Sequence, residues 1–234
     1  MALDAKHYYD AYWGARESAS TEARSRERAL AAIELLALHG LRGGRLLDAG
    51  CGPGWTLEAF RDAGFDAVGL DASERAVQAC SARGLDVRQL DFEKERLEAA
   101  LGPGSRFRAI ACLEVLEHLV DPLAFLEELK RYLEPGGALV VSLPNELALP
   151  ARAKVLLGRL PFGGHDDPHV RHFDRTQARR LLDSAGLRTV RDRPLSVFPP
   201  RWRLARAVTG WLPRSLPGLF SLASVHLLVP REPQ

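Results

Sequence analysis

The chain has 234 residues, 46% of them apolar and 26% charged, the balance of an ordinary globular domain and not of a disordered segment. No uninterrupted apolar run exceeds five residues, which excludes a membrane-spanning helix of about 20. The net charge of +2 hides an asymmetry: residues 1–150 carry 17 basic and 24 acidic side chains, whereas residues 151–234 carry 15 and 6. A basic C-terminal third suits a solvated face or an anionic partner. Cys51, Cys80 and Cys112 have no C-x-x-C spacing, so neither a disulfide framework nor structural zinc is expected. The start, MALDAKHYYDAYW, lacks a basic head followed by an apolar block, and the reading is a reduced, cytoplasmic protein.

In chain order, Tyr8, Tyr9, Tyr12 and Trp13 cluster at helical spacing. Ala29, Ala32, Ile33, Leu36 and Ala37 continue a helical period. Residues 1–40 are therefore expected to form an N-terminal helical lid segment ahead of a domain over 41–234. From Arg45 short apolar runs alternate with helical stretches. Strands are predicted at 45–50, 66–71, 86–91, 107–113 and 137–144, and helices at 56–63, 73–83, 93–101 and 122–133. This alternation predicts an α/β domain with a parallel sheet and right-handed crossovers.

Punctuation supports the pattern. Asp121-Pro122 reads as an N-cap with proline at the first helical position, and Pro135-Gly136-Gly137 as the end of that helix. Asp174 with Gln177 reads as a capping box, and Gly186 as a helix stop. Ala223 to Val229 is expected to return as an edge strand. Residues 145–172 break the alternation and read as a substrate-covering insertion.

The most informative stretch is Leu46-Leu47-Asp48-Ala49-Gly50-Cys51-Gly52-Pro53-Gly54, an apolar strand running into three glycines and then a helix. Missing Cβ atoms allow a tight turn and close approach of a ligand to the backbone. In a doubly wound sheet this turn lies at the carboxyl edge, where nucleotides bind. The G-x-G-x-x-G fingerprint fails because Trp55 stands at its third glycine, which counts against an NAD(P)-dependent oxidoreductase. Asp71 closes the next strand, 17 residues past Gly54, and a carboxylate there accepts both hydroxyls of a ribose. Asp91-Phe92 follows the third strand and offers an acceptor beside an aromatic plane. The ordered set suits an adenosine nucleoside without a pyrophosphate.

The run LLDAGCGPG, with GLD, LDF, CLEVLEH and LEPGGALVVSLPN, resembles the class I S-adenosylmethionine-dependent methyltransferases over about residues 40–195. It looks closest to the small-molecule group that includes the ubiquinone-biosynthesis O-methyltransferases. The resemblance implies a Rossmann-like, seven-stranded, mostly parallel sheet with helices on both faces and the last strand antiparallel. It implies S-adenosyl-L-methionine as cofactor. Asp48 and the turn Gly50, Cys51, Gly52 and Gly54 would hold its methionine part, and Asp71 with Ala72 its ribose. Asp91 with Phe92 would hold its adenine, and Leu113 would contact it through the backbone.

A sulfonium methyl is already activated, so the chain needs chiefly to align an acceptor, and a histidine suits removal of a hydroxyl proton. His118, His169 and Glu117 are the candidate catalytic residues. The resemblance associates E-x-x-E-H, here Glu114, Glu117 and His118, with a divalent metal, and Asn145 is a fourth candidate ligand. Structural or base roles for these side chains are the preferred reading, with no metal. The loop His165-Asp166-Asp167-Pro168-His169-Val170-Arg171-His172-Phe173 resembles the H-x-x-x-F element over the active site of this group, but Val170 departs from the aromatic of the ubiquinone type.

The expected activity is methyl transfer to a small-molecule acceptor, most simply a hydroxyl oxygen. The alternatives are an NAD(P)-dependent oxidoreductase and a non-catalytic cofactor-binding module. The nucleic-acid motif N-P-P-[YF] is absent where SLPN stands, so no nucleic acid is expected as partner. Residues 198–218, with Trp202, Trp211 and several arginines, are a candidate for peripheral membrane contact or a lipid-like substrate.

Overall fold

The computed structural model of the protein describes residues 5–16, 18–161 and 169–231, so His165 to Pro168 of the histidine-bearing loop lie outside the described residues. Two helices lead, α1 (Ala5–Arg16) and α2 (Ala19–Leu38), the second N-capped by the Ser18 hydroxyl. The alternation then runs β1 (Gly44–Ala49), α3 (Trp55–Asp62), β2 (Phe65–Asp71), α4 (Glu74–Ser81) and β3 (Asp86–Gln89). It continues with α5 (Leu97–Leu101), β4 (Phe107–Leu113), a 3-10 turn at Leu116–His118, α6 (Pro122–Arg131) and β5 (Leu133–Pro144). After α7 (Leu149–Leu156) come α8 (Arg175–Ser184) and β6 (Leu187–Ser196). Three short helices, α9 (Arg203–Thr209), α10 (Leu212–Ser215) and α11 (Pro217–Phe220), precede β7 (Ser221–Pro230).

The seven strands form one sheet in the order β3-β2-β1-β4-β5-β7-β6. The pairs among β1 to β5 are parallel, and β7 is antiparallel to both of its neighbours. This is the expected α/β architecture, with one correction. Ala223–Val229 is not an edge strand, because β7 inserts between β5 and β6. Residues 223–228 are all buried, so only an interior position removes both faces from water. The edge goes to β6, whose exposed Arg188, Arg191 and Asp192 blunt further pairing.

A second correction concerns Pro135-Gly136-Gly137. The helix already stops at Arg131, and the three residues fall inside β5. They are accommodated where the register jumps from Phe107↔Leu133 to Ala109↔Ala138. The helix expected over 93–101 begins only at Leu97, because Asp91 folds 91–95 into a turn by accepting the Lys94 and Glu95 N–H groups at its carbonyl.

Alternation along β4 divides the core. Ile110 and Cys112 join the cluster under α5, α6 and α8, while Ala109 and Ala111 face α2 and α3. Small side chains there let α2 lie close, and its Ala31, Ala32, Leu35 and Leu36 are buried against the sheet. The 1–40 segment is thus two different things. Residues 19–38 are a layer of the domain, since they bury an apolar stripe, and only α1 lies over the glycine turn. No described helix is long and apolar enough to cross a membrane.

Candidate active site

The glycine turn takes the backbone that its sequence demands. Gly50, Gly52 and Gly54 have φ of 83°, 53° and 91°, a region that disfavours side chains. Their surroundings leave no room either: a Cβ on Gly50 would lie 2.3 Å from Val115, and one on Gly52 would lie 2.6 Å from the Trp13 ring. Asp71 at the end of β2 is fixed from both sides, accepting the Gly52 N–H at 2.8 Å and the Ser73 N–H at 2.9 Å. Burial pushes its carboxyl up to about 6 despite those bonds. Asp48 is fully buried on β1 and accepts the Thr56 hydroxyl at 2.6 Å, while its Oδ1 has no partner. Burial pushes Asp48 up to about 7.

Helix α1 covers this turn. Trp13 lies over Gly52 and meets Trp55 edge to face with ring centroids 6.0 Å apart. Asp10 pins the helix to α4, accepting the Ser73 hydroxyl at 2.6 Å and the Arg75 N–H at 3.1 Å. Tyr9 places its ring 5.9 Å from that of His118. Its phenol is raised far above its ordinary range by burial, by Tyr8 and by the carboxylates of Asp71 and Glu117.

The second half of the site forms at the ends of β4 and β5. Leu113 is buried at the end of β4. Glu114 next to it has φ 58°, rare for a residue with a side chain, and is held there by its neighbours. Its carboxylate pairs with Arg28 at 2.8 Å and accepts the Ser142 hydroxyl at 2.8 Å. Glu117 is fully buried with both carboxylate oxygens unpartnered, and burial followed by the Glu114 charge raises its carboxyl well above the usual range.

The 169–173 loop is stitched onto this turn by backbone. The Glu117 carbonyl accepts the N–H groups of Val170 and Arg171, both at 2.9 Å. That brings the His169 ring to 5.0 Å from the His118 ring. Glu146, just past β5, then bridges two imidazoles: Nδ1 of His169 at 2.6 Å and Nδ1 of His172 at 2.5 Å. Sequence reasoning missed Glu146, and its only signal was its place one residue after Asn145.

Other sequence candidates sit differently. Asp91 is ion-paired with Lys94 at 3.1 Å, and the Phe92 ring packs on Phe125 with centroids 4.8 Å apart. Cys51 is buried beneath the turn beside Cys80, and Ala72 is half-buried, its carbonyl accepting the Gln89 amide. Asn145 turns away, its amide donating to the carbonyls of Pro217, Gly218 and Ser221. The metal set Glu114, Glu117 and His118 does not assemble, because the Glu114 carboxylate is taken by Arg28 and Ser142. Among the described residues, ligand atoms converge within 4.8 Å in two other groups, Glu117–His118–His169 and Glu146–His169–His172.

Residues 21–192 match the family model described as a methyltransferase domain. The chain belongs to this family. The ubiquinone biosynthesis O-methyltransferase of Idiomarina loihiensis is 33% identical to it over 160 residues, 64% of each chain. That of Dinoroseobacter shibae is 33% identical over 176 residues, 70% of this chain and 68% of the relative. The methyltransferase thus spans about two thirds of the length of these relatives. Its fold is similar to magnesium protoporphyrin IX methyltransferase from Synechocystis, solved with S-adenosylhomocysteine bound, at a TM-score of 0.67, 16% identity and coverage of 96% and 97%. A SAM-dependent methyltransferase from Archaeoglobus fulgidus superposes at 0.61, with 17% identity and coverage of 94% and 98%.

The side chains around the glycine turn fit a cationic cofactor on their own chemistry. Asp48 keeps an orphaned buried oxygen, Asp71 is oriented by the Gly52 N–H of the turn itself, and Glu117 is buried with both carboxylate oxygens unpartnered. Carboxyls raised by desolvation are lowered again by a positive charge beside them, so a sulfonium or ammonium group is stabilised there.

Proposed function

We propose that this methyltransferase transfers the S-adenosylmethionine methyl group to a hydroxyl oxygen of a small molecule, with His169 as the general base. The observation that carries the reading is the Glu146–His169 hydrogen bond beside His118. An ionised Glu146 can only accept, so Nδ1 of His169 carries the proton and Nε2 is left basic. Nε2 takes the acceptor's proton as its oxygen attacks, and Glu146 stabilises the imidazolium that results. His118 and Glu117 line the same space, where they orient the acceptor.

The bound cofactor supplies an activated methyl group, which leaves a neutral thioether when displaced. Asp48 and the Gly50–Gly54 turn, with Cys51, are assigned to its methionine end, and Asp71 with Ala72 to its ribose. Asp91 and Phe92 are assigned to its adenine, and the Leu113 backbone completes the wall. Helix α1 closes over the cofactor and keeps water from the reacting atoms. No step here is routed through a metal.

The names of the curated relatives support an oxygen acceptor, and the exposed Trp202, Leu204, Val208 and Trp211 support an acceptor with an apolar tail or contact with a lipid surface. The test has two parts. Calorimetry with S-adenosylhomocysteine should give saturable binding, and incubation of S-adenosylmethionine with phenolic acceptors, with and without an alkyl tail, should release S-adenosylhomocysteine. Binding without turnover on any acceptor would favour a non-catalytic module, and binding of NADH in its place would favour an oxidoreductase.

A further inference from the structure

On the far edge of the sheet lies a cavity of about 450 Å³ between α2, β6 and α10. Four arginines line it, Arg175, Arg191, Arg193 and Arg214, against two acidic residues, Glu34 and Asp192. Both carboxylates are already engaged. Glu34 pairs with Arg193, and Asp192 lies 3.5 Å from Arg175, which also donates to the Ser224 hydroxyl at 2.8 Å. Arg191 and Arg214 are left without a carboxylate partner among the described residues.

No acidic residue occurs between Arg193 and Arg231, so the segment that builds this wall cannot neutralise it. Burial, then the like charges of Arg214 and Arg206, lower the Arg193 guanidinium below its ordinary range even with Glu27 opposing them. Cations held together against their repulsion form an arrangement that a multivalent anion relieves. Guanidinium forks from three separate elements match the spread oxygens of a phosphate better than the flat pair of a single carboxylate. The volume lies within the range of about 300–1,000 Å³ typical of small-molecule sites.

We propose that this cavity is a second binding site that takes a phosphate-bearing anion. It is separate from the methyl-transfer crevice: β6 stands four strand positions from β1 in the sheet, roughly 19 Å at the spacing of neighbouring strands. The recognised chemistry, a phosphate with several charged oxygens, is shared by soluble phosphorylated molecules and by phospholipid headgroups.

The experiment uses the full chain and the double variant Arg191→Gln/Arg214→Gln. Calorimetric titration with inorganic pyrophosphate probes the soluble source. Sedimentation with phosphatidylcholine vesicles, with and without phosphatidic acid, probes the lipid source. Expected is binding in one arm that weakens about tenfold or more in the variant, as loss of charge-assisted contacts requires. A response to pyrophosphate identifies a soluble ligand, and a response confined to phosphatidic acid vesicles identifies a headgroup. Silence in both arms, or binding that the variant retains in full, overturns the proposal. S-adenosylhomocysteine affinity and the melting temperature are read on the same samples. A failure of the methyl-transfer reading would appear there, and not in the anion arms.

Discussion

The Glu146 carboxylate and the His169 imidazole meet at 2.6 Å across 23 residues of sequence, at the point where the loop over the site is tied to the end of β5. Replacing Glu146 by Gln keeps the shape but removes the charge that favours a protonated Nδ1. We expect Glu146→Gln to lower kcat about ten- to hundredfold and to shift the acidic limb of the pH–rate profile, where a general base gains its proton. His169→Ala should cost about a hundredfold or more, the usual contribution of a general base. Neither should change the affinity for S-adenosylhomocysteine. A kcat unaltered in both variants would remove His169 from the chemistry.

Asp71 supports the protein as well as any ligand, since it accepts from Gly52 and Ser73. Asp71→Ala should weaken S-adenosylhomocysteine binding by about ten- to hundredfold, the worth of a charge-assisted hydrogen bond of roughly 1.5–3 kcal/mol. It should also lower the melting temperature, because two backbone donors lose their acceptor. Calorimetry separates the two effects, and an affinity equal to wild type would exclude Asp71 from the cofactor site.

The raised carboxyls give the cofactor site a pH dependence of definite sign. Asp48 and Asp71 titrate at about 7 and about 6 in the folded chain, above the usual carboxylate range. The folded state therefore holds their protons more tightly than the unfolded state. Their contribution to stability is greatest in acid and falls as pH rises towards 7. A cationic ligand needs them ionised, so affinity for the sulfonium S-adenosylmethionine should drop as pH falls from about 7 to below 6. Thermal melts with and without the ligand should show the larger ligand-induced shift at about pH 8. A shift that does not vary with pH would contradict it.

Trp13 and Gly52 test the cover. Trp13→Ala should speed release of S-adenosylhomocysteine in a stopped-flow chase while leaving the melting temperature nearly unchanged, because α1 sits outside the main clusters. Gly52→Ala should harm both. Its φ of 53° costs an alanine roughly 1–2 kcal/mol, and the new methyl would strike the Trp13 ring. Equal release rates in wild type and Trp13→Ala would mean that α1 does not gate the crevice.

Much of the frame was legible in the sequence because its signals are local. The glycine turn, the Asp71 strand end and the caps at Asp121 and Asp174 each declare themselves within a few residues. What was not legible depends on distant chain. β6 gives no clean alternation because, at the edge, its charged side chains face water on both sides. β7 reads as an edge strand until it is seen to be buried on both faces. The Glu114–Arg28 pair joins the end of β4 to a helix 86 residues earlier, so the E-x-x-E-H spacing alone could not reveal that Glu114 was already engaged. Glu146 was invisible for the same reason.

The insertion of β7 between β5 and β6 has a consequence for biosynthesis. During translation β6 emerges before the strand to which it must pair, so it has no ladder to join, and the flank of β5 stays open. Until residues up to Pro230 have left the ribosome, a nascent chain exposes apolar Val140 and Val141 beside unpaired backbone, the kind of surface on which chains aggregate and chaperones act.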